Sequence, residues 1–237
     1  MRPLILIPAR LASTRLPNKP LAIIGDAPMI VQVWRRAVAS GLGRVVVAAD
    51  SQAILSAILD AGGEAVLTDP DLPSGSDRIF AALGEVDAKK EHDVIINVQG
   101  DMPTLDPAII VAAAKLLDDA NVDIGTLAAV ISDEAEKNDP AVVKIAMAGS
   151  RALYFSRALI PAGEGVHYHH IGIYAYRRKA LERFVSLPPS PLEQREKLEQ
   201  LRALEAGMQI DVAVVDAVPL GVDTPEGLEK ARNIYAK

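Results

Sequence analysis

Short apolar runs of strand length alternate with helix-period patterns through the first half of the chain. Leu4-Ile5-Leu6-Ile7 and Arg44-Val45-Val46-Val47-Ala48-Ala49 are continuous apolar runs, the pattern of parallel strands buried on both faces. Ala65-Val66-Leu67 and Asp93-Val94-Ile95-Ile96-Asn97-Val98 repeat it. Between them, Pro28-Met29 opens a helix with Ile30, Val33, Trp34 and Ala37 on one face, closed by Gly41. Ile54, Leu55, Ile58 and Leu59 mark a second helix, stopped by Gly62-Gly63. The stretch Asp69 to Arg78 reads as a loop. This β-α-β-α alternation predicts an α/β fold, a mostly parallel sheet covered on both faces by helices.

The second half is less regular. Asp106-Pro107 starts a helix through Leu117, with Asp as N-cap and Pro in the first turn. Ile124 to Ile131 is a strand. Val142 to Ala146 and Ala152 to Ser156 form an antiparallel pair around Gly149-Ser150. Ile171 to Tyr176 is a further strand. A helix from about Leu192 to Ala206 turns Leu192, Leu198, Leu201 and Leu204 inward; Ile210 to Val215 is the last strand and Pro225 to Tyr235 the closing helix. With no linker, repeat or low-complexity tract, residues 1–237 read as one domain with an antiparallel arm over 142–176.

Composition narrows the function classes. Lys and Arg number 25 against 31 Asp and Glu, a net charge of −6 that disfavours a general nucleic-acid binder. No apolar run reaches the length of a membrane span, and the apolar run after Arg2 is too short for a signal-peptide core. The absence of Cys excludes disulfides and thiolate metal sites, and with no export signal a cytoplasmic protein is expected.

Against this acidic background one basic loop stands out, directly after the first strand. Pro8 to Leu21 carries Arg10, Arg15 and Lys19, the hydroxyls of Ser13 and Thr14, and three stiffening prolines, Pro8, Pro17 and Pro20. Convergent guanidinium forks and an ammonium suit a polyphosphate. Asp50, Ser74 to Arg78 and Gln99 to Asp101 also follow strand-like runs, and in a parallel sheet such C-terminal ends line one crevice. Asp101 suits Mg²⁺ on a nucleotide, because that ion takes one or two carboxylates plus phosphate oxygens, although a lone Asp more often caps a helix or forms a turn. Asp223 serves either as a second metal ligand or as a cap of the last helix, beside Pro225. His167 and His169 share a strand face but lack a third zinc ligand; His170 points the other way with Gly172 and Tyr174. Glu193, Glu196 and Glu199 have the spacing of a solvated helix face. No Ser/His/Asp order supports acyl transfer, and no G-x-G-x-x-G follows the first strand.

These motifs resemble one family. Pro8-Ala9-Arg10, Ser13-Thr14-Arg15-Leu16-Pro17, Lys19-Pro20-Leu21 and Asn97-Val98-Gln99-Gly100-Asp101 are similar to 3-deoxy-D-manno-octulosonate (Kdo) cytidylyltransferases. So are Ser74-Gly75-Ser76-Asp77-Arg78, Tyr154-Phe155-Ser156-Arg157, His170-Ile171-Gly172-Ile173-Tyr174, Pro189-Ser190-Pro191-Leu192-Glu193, Leu198-Glu199-Gln200-Leu201-Arg202 and Gly221-Val222-Asp223-Thr224-Pro225. The opening motif is shared with many nucleotidyltransferases; the later blocks single out this family. The resemblance implies a Rossmann-like sheet of the nucleotide-diphospho-sugar transferase type, a homodimer, and transfer of CMP from CTP to Kdo for lipopolysaccharide assembly. It implies that Arg10, Arg15 and Lys19, helped by Ser13, hold the triphosphate. Pro8, Ala9, Asp50, Ser74, Arg78 and Gln99 would complete the nucleotide site. Asp101 and Asp223 would hold Mg²⁺, and with Arg10 and Lys19 make up the catalytic set. Arg157, His170, Tyr174, Glu199 and Gln200 would bind the sugar acid. The chain departs from the family pattern at Met102, where Glu is common, at Ala49 (Thr) and at Asp77 (Glu), and its 161–169 stretch is short. A relative acting on 8-amino-Kdo or sialic acid would share the N-terminal loop and differ in the sugar blocks. A non-catalytic nucleotide-binding protein would keep the grip without the turnover.

Overall fold

The apolar runs of the first half become parallel strands. In the computed structural model, which describes residues 1–13 and 15–236, the chain divides into two compact units, residues 1–111 with the segment from Pro219 on, and residues 112–218. Thr14, one of the two loop hydroxyls, lies outside the described residues.

The first unit is built on β1 (Pro3–Ala9), followed by a small hairpin of β2 (Ile23–Ile24) and β3 (Ala27–Pro28) and by α1 (Met29–Ala39). Then come β4 (Arg44–Ala49), α2 (Gln52–Asp60), β5 (Glu64–Leu67), α3 (Gly75–Val86) and β6 (Val94–Asn97). The strands run parallel in the order β5-β4-β1-β6, with Ile5 opposite Val45 on one side and Ile96 on the other. Leu4, Ile5, Leu6 and Ile7 are fully buried, as a strand covered on both faces requires. The expected loop through Arg78 stops earlier: Ser74 caps α3, its Oγ accepting the Asp77 N–H at 3.1 Å. Ser76, Asp77 and Arg78 are therefore helical, a start hidden by the poor helix formers Gly, Ser and Asp.

The division between the units falls within α4 (Pro107–Lys115). The second unit holds β7 (Ile124–Val130), α5 (Glu134–Asn138), β8 (Lys144–Ala148), β9 (Arg151–Ser156), β10 (Tyr168–Arg177), α6 (Arg178–Ser186), α7 (Pro191–Glu196), α8 (Gln200–Glu205) and β11 (Ile210–Val215). β7 is parallel to β11 and antiparallel to β10; β8 and β9 form the expected antiparallel pair, and β8 also meets β10 where Lys144 faces His169. The single helix expected over Leu192 to Ala206 is two. Lys197 takes the left-handed conformation (φ 59°) and its N–H closes α7 on the Glu193 carbonyl. Leu198 and Leu201 are buried as expected, while Leu192 and Leu204 are only partly so.

The closing helix α9 (Pro225–Tyr235) returns to the first unit. Leu228 and Ala231 pack with Ile24, Met29 and Val222, each fully or nearly fully buried. Burying the Ile, Met, Val and Leu side chains stabilises by about 1.5–3 kcal/mol each. That cluster fixes the segment just before α9, which carries Asp223.

Candidate active site

The C-terminal ends of β1 and β6, the start of α3 and the segment before α9 border one cleft of about 710 Å³ in the first unit. That volume suits a small-molecule site. Pro8 and Ala9 line it from the end of β1, which runs two residues into the expected loop, and Arg10, Ser13, Arg15 and Lys19 line it from the stretch that follows. Ser74 and Arg78 line it from α3, Gln99 and Asp101 from the loop after β6, and Asp223 from the far end of the sequence. Gly75 is also at the wall, so the positive end of the α3 dipole meets the cleft where an anion is favoured.

Backbone contacts bring the two acids together. The Val222 N–H donates to the Asp101 carbonyl at 2.9 Å, tying the segment before α9 to the loop after β6. Gly100 is required there by close approach: a Cβ would sit 2.8 Å from the Pro8 carbonyl oxygen. Lys19 bridges the pair, its Nζ lying 2.9 Å from Asp101 Oδ2 and 2.7 Å from Asp223 Oδ1. Arg15 adds a second cation, 3.1 Å from the other Asp223 oxygen. Burial disfavours the Lys19 charge, but the Asp101 charge and the hydrogen bonds to both acids outweigh it and raise its pKa. Burial likewise opposes the Asp223 charge, and the Lys19 and Arg15 contacts overcome that and lower its pKa. Thr224, not Asp223, caps α9, its Oγ1 accepting the Gly227 N–H at 3.2 Å. The Asp223 side chain thus points at the cations instead of serving as the cap.

Two polar residues of this region work mainly by holding loops. Asp50, expected at the nucleotide site, lies beside this cleft, in a shallower hollow that it borders with Leu11, Ala12 and Ser13. Both its oxygens accept the Leu11 N–H, at 3.0 and 2.9 Å, while its own N–H donates to the Ala9 carbonyl at 3.1 Å. Asp50 therefore sets the path of the basic loop as it leaves β1. Arg78 does line the cleft but is only 3% exposed. It donates to Thr68 Oγ1 at 2.6 Å and to the Asp69 and Pro70 carbonyls at 3.1 and 3.3 Å. Burial lowers its pKa, with Asp50 opposing that.

The sugar candidates all lie in the second unit. His170 is buried, its Nε2 3.0 Å from Thr126 Oγ1 and its ring edge-on to Phe155 at 4.9 Å. Burial, with the neighbouring His169 charge, pushes its pKa down to about 3, so the ring is neutral. Tyr174 lies 5.6 Å from the His170 ring, and burial, with Tyr176 and Glu199 nearby, raises its pKa. Gln200 is buried, and Glu199 is the residue before α8. Arg157 is heavily engaged: Nε donates to the Glu196 carbonyl at 2.9 Å, and the terminal nitrogens to the Pro140 and Lys197 carbonyls at 2.9 and 3.3 Å.

The solvated Glu face expected on the late helix is not there. Glu196 accepts from Ser156 Oγ and from the Arg157 N–H, both at 3.0 Å. Glu193 closes a capping box with Ser190 and pairs with Arg202. Ser190-x-x-Glu193 was the sequence signal for that cap; nothing local marked Glu196, whose partners lie 39 and 40 residues away. His169 pairs with Glu136 at 3.5 Å and His167 Nε2 lies 3.0 Å from the Pro161 carbonyl. Among the described residues no three His, Asp or Glu side chains gather as a metal held by protein alone would need.

Residues 4–210 match the family model described as cytidylyltransferase. The chain is 65% identical to the 3-deoxy-manno-octulosonate cytidylyltransferase of Parvibaculum lavamentivorans, over 99% of this chain and 93% of that one. It is 62% identical to the protein of the same name from Methylobacterium sp., over 99% and 97%. A solved CMP:2-keto-3-deoxy-manno-octonic acid synthetase, complexed with CTP, superposes with a TM-score of 0.94 at 40% identity, covering 100% of this chain and 99% of that one.

Proposed function

Because the chain belongs to the 3-deoxy-manno-octulosonate cytidylyltransferase family, we propose that it transfers CMP from CTP to Kdo and releases pyrophosphate. The single observation that carries the mechanism is the meeting of Lys19, Arg15, Asp101 and Asp223 in one cleft that Arg10 also lines. Three permanent cations facing one cleft match a triphosphate. Arg10 and Arg15 grip phosphate oxygens through guanidinium forks, and Lys19 adds a mobile point charge. As the bond from the α-phosphorus to the bridging oxygen breaks, these cations stabilise the charge gathering on the leaving pyrophosphate. The attacking anomeric hydroxyl of Kdo displaces it in line. Such a reaction asks the protein for positioning and charge neutralisation more than for a covalent intermediate.

Asp101 and Asp223 supply hard carboxylate oxygens close enough to share one ammonium, a donor set that fits Mg²⁺ completed by phosphate oxygens. When bound, that ion would polarise a phosphoryl oxygen and acidify the attacking hydroxyl. Pro8, Ala9, Ser13, Ser74, Arg78 and Gln99 shape the nucleotide side of the cleft. On this reading the acceptor acid is bound by Arg157, His170, Tyr174, Glu199 and Gln200. Neutral His170 offers a hydrogen bond without charge, and Arg157, held by carbonyls, braces the segment around Lys197. The same reading has the enzyme acting as a homodimer in the cytoplasm, in lipopolysaccharide assembly. No helix among the described residues is long and apolar enough to cross a membrane.

The assay is pyrophosphate release with CTP, Kdo and Mg²⁺. Asp101→Asn should abolish it, by a factor of about a hundred or more, the size expected for loss of a charge-stabilising group. Near-normal release from that variant would contradict the role given to the acid.

A further inference from the structure

We infer that Lys19 is a built-in counter-cation that keeps the Asp101–Asp223 pair closed to a divalent ion until nucleotide phosphates draw its ammonium away. The inference rests on the reading of these two acids as metal ligands and adds an order of events to it.

The charges at the acid pair balance. Lys19 Nζ contacts both carboxylates, at 2.9 and 2.7 Å, and Arg15 takes the remaining Asp223 oxygen at 3.1 Å. Two anions are matched by two cations, so a divalent ion approaching the nucleotide-free protein meets no net negative charge. It must also break these ion pairs to reach an oxygen. The ligand count points the same way. Mg²⁺ requires six oxygens in near-octahedral array and gives up its waters reluctantly. Among the described residues no third acid or His joins the pair.

One event removes both obstacles. A triphosphate entering the cleft competes for Lys19 and Arg15 and brings its own oxygens beside the freed carboxylates. Lys19 is suited to the exchange. Its ammonium sits on a flexible four-carbon stem with three rotatable donors, and can leave the acids for a phosphate without moving backbone. Arg10 lines the same cleft and adds to the phosphates' pull. Metal and nucleotide binding are then coupled, and by linkage each tightens the other by the same factor.

The test is a Mn²⁺ titration of the full-length protein followed by electron paramagnetic resonance, with and without CTP. Without nucleotide, Lys19→Met should bind Mn²⁺ at least about fivefold more tightly than wild type, the low end of ordinary coupling between sites. The gain should vanish when Asp223→Asn is added. Arg15→Ala, at an exposed position whose loss leaves the core untouched, should give a smaller gain in the same direction. Equal Mn²⁺ affinity in wild type, Lys19→Met and Arg15→Ala would overturn the inference. A second arm isolates its premise. With CTP present, Asp101→Asn should lose the Mn²⁺ that wild type holds beyond what CTP alone binds. Retention there brings down the ligand assignment and the lock together; loss there with no gain in Lys19→Met brings down the lock alone.

Discussion

Lys19 touches acids 82 and 204 residues away, and Asp50 holds a backbone N–H 39 residues back. Roles of this kind depend on which distant group arrives, and residue type announces only part of them. The cations of the first loop were legible because the loop leaves the C-terminal end of a strand, where open α/β sheets place their ligand sites. Asp50 and Arg157 read as ligand contacts; what no pattern announced is that both also hold backbone groups of distant segments. A hydrogen bond to a charged group contributes about 1.5–3 kcal/mol. Asp50→Ala should therefore raise the KM for CTP about tenfold or more as the loop loses its anchor, with Asp50→Asn in between; steady-state kinetics check it. An unchanged KM would deny the anchor its importance. His170 makes a different prediction. Unfolded, a histidine takes up a proton near pH 6.5; folded, this one resists until about pH 3. Its contribution to stability is complete above pH 6.5 and is lost as the pH falls toward 3. Between pH 7 and pH 5 that amounts to about 2 kcal/mol. Urea unfolding at the two pH values should show His170→Gln losing correspondingly less stability than wild type.

Strands and helices followed the apolar pattern where burial alone decides them. β4 and α9 match their predicted runs closely, and β1 extends its run to Ala9, because continuous burial on both faces or one clear stripe leaves little choice. The misread elements are those settled by backbone detail. α3 begins on a side-chain cap in front of weak helix formers. The late helix breaks because Lys197 turns left-handed, and that break lets Glu196 reach Ser156 and Arg157 instead of water. α9 tests how far an element's anchoring governs the site. Thr224→Ala removes the Oγ1 that accepts the Gly227 N–H and should cost about 1 kcal/mol of stability. Since Asp223 precedes that cap, kcat/KM should fall more than a loss of stability alone would produce. Thermal unfolding and kinetics on the same preparation separate the two effects, and a stability loss with unchanged kinetics would uncouple Asp223 from the helix.

For the molecule as a whole, the fold class and the convergence of the basic loop with Asp101 were legible in the chain, whereas the choice of acceptor was not. The parallel strands put their C-terminal ends on one edge, so the loops that bear Arg10, Lys19 and Asp101 converge by topology alone. Acceptor recognition has no such rule. The residues proposed for it, such as His170 and Gln200, are buried polar groups of types common in any core, and resemblance, not pattern, brought them forward. A site built to hydrogen-bond its substrate rejects analogues that leave those groups unpaired, often by factors of about 10⁴. Pyrophosphate release should therefore be measured with CTP, ATP, GTP and UTP against Kdo, 8-amino-Kdo and sialic acid. Rapid release confined to CTP with Kdo is the expected result. Release that is faster with another acceptor, or absent with Kdo altogether, would contradict it.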